Sequence, residues 1–431
     1  MSTRVPRRSQ IIAAVIGNAF EWYDFIVFGS LSVVISGLFF PASSEYTALL
    51  LTLATFGVGY IMRPVGALVL GVYADRAGRK ACLQLVISLM TVAVALIAFA
   101  PTYASIGIGA PVLIVLGRLL QGFATGGEFS SATCFLVESA PAHRAGFVGS
   151  LQMVGQASGV LLGAVMGMIV THVLAPEQVA QWGWRIPFLV GLLIGPVGLY
   201  MRRHLEETDE FRALRGSRGA FVAMRTLDRE HRRAVSASFL AAACGTTAAY
   251  VVLFYMPIYA RTQLAIPLVD GFAAQVIALA WTILLIPVFG ALSDRIGRRQ
   301  VLIWATLGYF LLAYPLFAWV RAEPSFARLL GLQLAMCTAV AGLFGPGSTV
   351  IAEQFPAALR STGTAIAYNF AVMLFGGFAP LIVTWLIRET GSPIAPAFYT
   401  MFGACVGIVG ALMLRERVHP VAARETVSGL G

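Results

Sequence analysis

Gly71–Lys80 reads GVYADRAGRK, a short charged turn between two long apolar runs, and Gly290–Arg299 repeats it as GALSDRIGRR. Gly, Asp, Arg, Gly and Arg occupy the same relative places in both copies. Each copy closes one apolar stretch and opens the next, at the second of six hydrophobic segments in its half. A chain that repeats such a turn halfway along reads as two related helical bundles in a membrane, the usual build of a secondary transporter. Arginines just past an apolar helix hold that end on the cytoplasmic side, and the glycines permit a tight reversal. Asp75 and Asp294 are placed to accept hydrogen bonds from helix N-termini or to pair with guanidinium groups.

The bulk composition agrees. Of 431 residues, 58% are hydrophobic and only 12% charged, with a mean hydropathy of +0.81, which excludes an ordinary water-soluble globule. Apolar runs fall near 10–40, 46–73, 81–100, 107–139, 146–172 and 184–203, and resume near 234–260, 268–292, 300–320, 327–355, 361–388 and 394–414. That predicts an all-α membrane protein of twelve transmembrane helices in two pseudo-symmetric six-helix bundles. The bundles are expected at 1–203 and 234–431, with a cytoplasmic linker at 204–233.

The net charge of +10 comes almost wholly from arginine, Lys80 being the only lysine. The arginines sit at span ends rather than on one polar face, so the basicity belongs to loops facing an anionic leaflet and not to nucleic acid. Counting them in alternate connectors places both termini in the cytoplasm. The first apolar run, which holds Glu21 and Asp24, lacks a cleavage site and reads as a retained first helix. Within the linker, LEETDEFRAL (205–214) reads as a surface helix. The five cysteines show no CxxC pair, and no HExxH, GxSxG or Walker motif occurs. Neither an enzyme nor a bound cofactor or metal is expected.

Ionisable groups inside apolar spans carry the functional argument, because each is costly in hydrocarbon and needs a partner or water. The first span holds Asn18, Glu21, Tyr23 and Asp24, the second Arg63, and the fourth Arg118, Thr125 and Glu128. Two readings stand: buried ion pairs that hold the N-terminal bundle together, or a binding and coupling centre. All five histidines lie in loops or at span ends, so a transported proton would need a carboxylate. Burial favours the neutral acid and a nearby guanidinium the charged one. Asp24 beside Arg118 is the first candidate for proton coupling and Glu21 the second. The second half offers uncharged groups at its span centres, among them Tyr250, Tyr255 and Asn369, suited to hydrogen bonding and shape selection. Turn-side charges should latch the inward gate: Asp75, Arg79, Glu138, Arg144, Asp294, Arg298, Glu353 and Arg360. Glu138 and Glu353 are expected to pair with turn arginines such as Arg79 and Arg298. Gly155, Gly159, Gly163 and Gly167 form a close-packing row on the fifth span, at a sliding contact between bundles or simply within one. FGPG (344–347) and FGGFAP (375–380) are expected to weaken or bend spans ten and eleven.

The duplicated turn resembles the major facilitator superfamily. GNAFEWYDFIVFG (17–29), FGVGYIMRPVGALVLG (56–71), GRLLQGFATGGEF (117–129), ESAPAHRAGF (138–147), WGWRIPF (182–188) and LEETDEF together resemble its metabolite:proton symporter branch. FPAALRSTG (355–363) and FGGFAP extend the likeness more loosely into the second half. The resemblance implies a proton-coupled importer of a small organic acid such as citrate or a dicarboxylate, working as a monomer in a bacterial-type inner membrane. A proline or betaine carrier is the alternative it leaves open. It makes Arg118 and Arg63 the candidate carboxylate site, with Asn18, Tyr23, Thr125, Gln152, Tyr250, Tyr255 and Asn369 around it; bidentate arginine–carboxylate geometry supplies the physical reason.

Overall fold

The computed structural model describes residues 15–16, 18–20, 22–23, 26–29, 31–42, 44–77, 79–192, 229–356 and 359–415, with backbone alone at 74–77, 79–80, 83, 142 and 229–230. Asp24, Glu21, most of the linker with its LEETDEF segment, and the side chains of Asp75 and Arg79 lie outside what is described.

The described chain is helical throughout. In the N-half, α1 is Ser32–Phe39, α2 Glu45–Ala77, α3 Arg79–Ala98, α4 Gly109–Thr125, α5 Glu128–Ser139 and α6 Ala145–Val173. In the C-half, α7 is Arg229–Ala248, α8 Met256–Gln263, α9 Leu268–Ile296, α10 Arg298–Ala322 and α11 Phe326–Glu353. The last three are α12 Arg360–Ala371, α13 Ala379–Thr390 and α14 Ala395–Met413. Among the described residues, nine helical stretches are long and apolar enough to cross a membrane, and Gln84–Ala98 is a shorter apolar one. With the first and sixth segments, described only in part, these account for the twelve apolar runs of the sequence.

The outer faces are apolar where a soluble protein would be polar: Leu284 is 68% and Trp304 62% exposed, as lipid contact requires. Between helices, where no hydrophobic gain over lipid exists, small residues let backbones approach. A Cβ on Gly159 would come within 2.3 Å of the Ala19 carbonyl oxygen, and one on Gly155 within 2.8 Å of that of Val15. The glycine row on α6 therefore packs against the first span of its own half. Only its far end, Gly167 against Phe272, meets the other half.

FGGFAP breaks span eleven as expected, through a π-helical turn at Val372–Gly377. FGPG does not interrupt its span: α11 runs through Pro346. Two more π-helical turns lie at Val179–Gly183 and Ala249–Tyr255; the latter joins α7 to α8, where AYVVLFY gives no sign of it. Such turns recur at functional sites because they re-aim side chains. The second charged turn closes on Gly297, whose φ of 101° is a conformation only glycine takes readily.

Candidate functional site

Where α2 and α4 cross, the chain buries two arginines. Arg118 is 0% exposed and Arg63 2%. Close crossing of the helices makes this possible: a Cβ on Gly122 would sit 1.6 Å from the Gly59 carbonyl oxygen, and one on Gly66 1.9 Å from that of Phe123. Arg118 donates from one terminal nitrogen to Gln121 Oε1 at 2.8 Å and from the other to the Phe56 carbonyl at 3.4 Å. Its guanidinium also lies 4.9 Å from the ring centres of both Phe28 and Phe56. Arg63 lies 5.5 Å from the rings of Trp22 and Tyr60. Cation–π contacts of this kind offset part of the cost of burying charge.

An aromatic layer joins the halves over these arginines. Tyr250, on the π-helical turn, donates its hydroxyl to that of Tyr60 at 2.7 Å. The rings meet edge to face at 5.4 Å, while Phe56 stacks on Phe254 at 4.9 Å and 14°. On its other side Tyr250 borders a cavity of about 40 Å³ between the halves, also lined by Phe129, Gln156, Thr246 and Tyr368. That is room for about one water. Arg118 does not line this cavity; the aromatic layer stands between them.

Among the described residues, the halves touch at both ends of the molecule. At the turn end, Asp294 accepts from the amides of Gly146 at 2.7 Å and Phe147 at 2.9 Å. Arg298 bridges Asp294 at 3.2 Å and Glu353 at 3.0 Å, and Arg360 pairs with Glu138 across the halves at 2.7 Å. Ser348 donates to the Gly149 carbonyl and Thr349 to that of Ala145. At the far end, a Cβ on Gly29 would overlap the Phe254 ring at 1.9 Å, and one on Gly57 the Phe378 ring at 2.4 Å. Arg388 lies 4.2 Å from the Tyr46 ring.

The expected residues thus separate into groups. Arg63, Arg118 and Tyr250 converge. Asn18 donates to the Gln152 carbonyl at 2.9 Å inside the N-half, and Asn369 reaches across to the Gly126 carbonyl at 2.7 Å. Tyr23 donates to the Pro187 carbonyl, Tyr255 bonds Thr384, and Thr125 donates to the Gly122 carbonyl of its own helix. In the gate, Glu353 meets Arg298 as expected, whereas Glu138 meets Arg360. Arg144 is exposed and makes no ion pair among the described residues. Sequence reasoning passes over Trp22, Phe56, Tyr60, Gln121 and Phe254. Gln121 and Tyr60 are within its reach, each one helical turn from a buried arginine.

Two helical halves that meet at both ends over a buried cationic centre have the build of a membrane carrier. The pattern of the sugar (and other) transporter family matches residues 10–235 and again 201–419, and the chain belongs to that family, within the major facilitator superfamily. Among its relatives, a citrate-proton symporter of Klebsiella pneumoniae is 38% identical over 411 residues, 95% of this chain and 92% of that one. A proline/betaine transporter of Salmonella typhimurium is 32% identical over 423 residues, 96% of this chain and 84% of that one. In fold, the chain is similar to the xylose transporter XylE from E. coli in a partially occluded inward-open conformation. The TM-score is 0.76 at 19% identity, over 95% of this chain and 98% of that one.

Proposed function

We propose that this protein is a proton-coupled importer of a small organic acid such as citrate or a dicarboxylate, working by alternating access in a bacterial-type inner membrane with both termini cytoplasmic. The observation that carries this reading is Arg118, a permanent cation wholly withdrawn from solvent on one half of a two-half carrier. Its two terminal nitrogens, which donate to Gln121 and the Phe56 carbonyl, have the spacing for a bidentate, charge-assisted pair with a carboxylate. Arg63 adds a second positive charge for a substrate with more than one carboxylate. The similarity to the citrate-proton symporter supports the same substrate class.

The carrier cycle follows from the contacts. A cavity of about 40 Å³ is too small for a di- or tricarboxylate, so binding requires the aromatic layer of Tyr60 and Tyr250 to part. Asp294, Glu138 and Glu353 with their arginines hold the turn end shut while the far end opens, and their separation frees the cargo inward. Proton coupling is assigned to Asp24, with Glu21 second: a carboxylate on the same half as Arg118 takes up a proton when the substrate's own charge satisfies the guanidinium. Purified protein in liposomes should accumulate radiolabelled citrate under an inward proton gradient. Asp24→Asn should keep citrate exchange yet lose gradient-driven accumulation; normal accumulation by that variant would reject the coupling assignment.

A second reading, a zwitterion carrier, is favoured by the aromatic layer, whose ring faces suit a quaternary ammonium, and by the proline/betaine relative. Competition of labelled uptake by citrate, proline and glycine betaine separates the two.

A further inference from the structure

Gln156 is a buried amide with half of its hydrogen-bonding capacity unused. It stands on α6 one residue past Gly155, where the glycine row packs against the first span. At about 100° per residue, that turns Gln156 away from the first helix of its own half and toward the seam. There it lines the cavity of about 40 Å³ between the halves and is 4% exposed. Its Nε2 donates to the Tyr368 hydroxyl across the seam at 3.5 Å, while Oε1 has no hydrogen-bond partner. Tyr368 is held in turn by Phe129 of the N-half, the rings stacked with centres 3.5 Å apart and 9° between planes. A buried carbonyl oxygen left unpaired carries a desolvation cost that a ligand able to donate would relieve.

The walls of the cavity say what that donor is. Among the described residues, its lining carries no charged side chain; besides Gln156 the polar members are Thr246, Tyr250 and Tyr368. An ionised carboxylate has acceptors only and cannot pair with a carbonyl oxygen, whereas a hydroxyl donates. The space fits about one water, hence about one hydroxyl. Arg118 stands beyond the ring layer: Phe56 lies 4.9 Å from its guanidinium and 6.2 Å from the Tyr250 ring. We infer that Gln156 is the hydroxyl-recognising residue of this carrier and that its cargo is a hydroxy acid. A carboxylate is held at Arg118, and the hydroxyl donates to Gln156 Oε1 once the Tyr60–Tyr250 layer parts. A site built to bond a hydroxyl rejects the analogue that lacks it, because the buried oxygen is then left unpaired. This inference rests on the acid-importer reading above and narrows its substrate class.

The test compares acids that differ only in that hydroxyl. Full-length wild type, Gln156→Leu and Gln156→Met are purified, checked for monodispersity and titrated calorimetrically. The probes are citrate against propane-1,2,3-tricarboxylate, and malate against succinate. Leucine and methionine both remove the amide while filling its place, so one folded variant suffices. In the pair it accepts, wild type should bind the hydroxy acid at least about tenfold more tightly, the scale of one buried hydrogen bond. The variants should lose that preference through weaker binding of the hydroxy acid, with the deoxy acid bound as before. The inference is overturned if wild type does not distinguish the members of a pair or if the variants keep its preference. It is equally overturned if they weaken both members alike, which would assign Gln156 to a group the two acids share. Wild type that binds none of the four acids would bring down the acid-importer reading itself; wild type that binds them with a preference indifferent to residue 156 would remove only this assignment.

Discussion

Asp294, in the second charged turn, caps α6 of the opposite half: its two carboxylate oxygens accept the amides of Gly146 and Phe147, the second and third residues of that helix. The first amides of a helix have no partner within it and carry its positive end, so a carboxylate there gains both hydrogen bonds and dipole attraction. The cap crosses the seam between halves, which makes it a latch rather than an ordinary helix start.

Asp294→Ala should therefore loosen the turn end. Loss of two charge-assisted bonds, each worth about 1.5–3 kcal/mol, weakens the closed state. A cysteine placed at Ser348, now buried, should react faster with a maleimide supplied from the turn side. Asp294→Asn keeps a capping acceptor and should sit between wild type and alanine. Unchanged labelling in the alanine variant would show that the latch lies elsewhere.

The Glu138–Arg360 pair is half exposed at its carboxylate, with 37% of the Glu138 side chain accessible, so its contribution to stability is small. Its role in the cycle is testable by charge exchange. Glu138→Arg should slow transport several-fold and Glu138→Arg/Arg360→Glu should restore most of it. Failure of the exchange to rescue would assign the two residues to separate tasks.

Gly149 and Thr349 meet where a Cβ would fall 2.0 Å from the threonine hydroxyl. Gly149→Ala should hold the turn end apart, lowering turnover about tenfold while citrate still binds from the far side. The added Thr349→Ala substitution removes the obstructing hydroxyl and should return much of the rate. A Gly149→Ala carrier with normal turnover would mean this contact is not made during the cycle.

Tyr60 and Tyr250 form the hydrogen bond between halves at the aromatic layer. Tyr250→Phe should cost about 1 kcal/mol in thermal unfolding on the wild-type background and little on a Tyr60→Phe background, where this bond is already gone. Additive losses would indicate that each hydroxyl has a different partner.

Much of this architecture is legible in the amino-acid sequence. The duplicated turn announces two halves, and Arg118 and Arg63 stand out because charge in an apolar span has few innocent explanations. The aromatic layer is not legible: Trp22, Phe56, Tyr60 and Phe254 differ little in hydropathy from their neighbours, and only the crossing of helices brings them together. The π-helical turn under Tyr250 is hidden for the same reason. Spacing matches Glu138 to a neighbouring turn, whereas its partner, Arg360, lies 222 residues away, a distance that periodicity cannot bridge. The spacing of the glycine row defines a face but not which helix lies against it.

The central claim is that Arg118 anchors the carboxylate, and calorimetric binding of citrate to purified wild type, Arg118→Lys and Arg118→Gln tests it most directly. Removing one partner of a desolvated charge pair costs about 2–5 kcal/mol. The glutamine variant should therefore lose citrate affinity by about a hundredfold, and lysine, a point charge without the fork, should recover part of it. A folded Arg118→Gln protein that binds citrate as tightly as wild type would contradict the account.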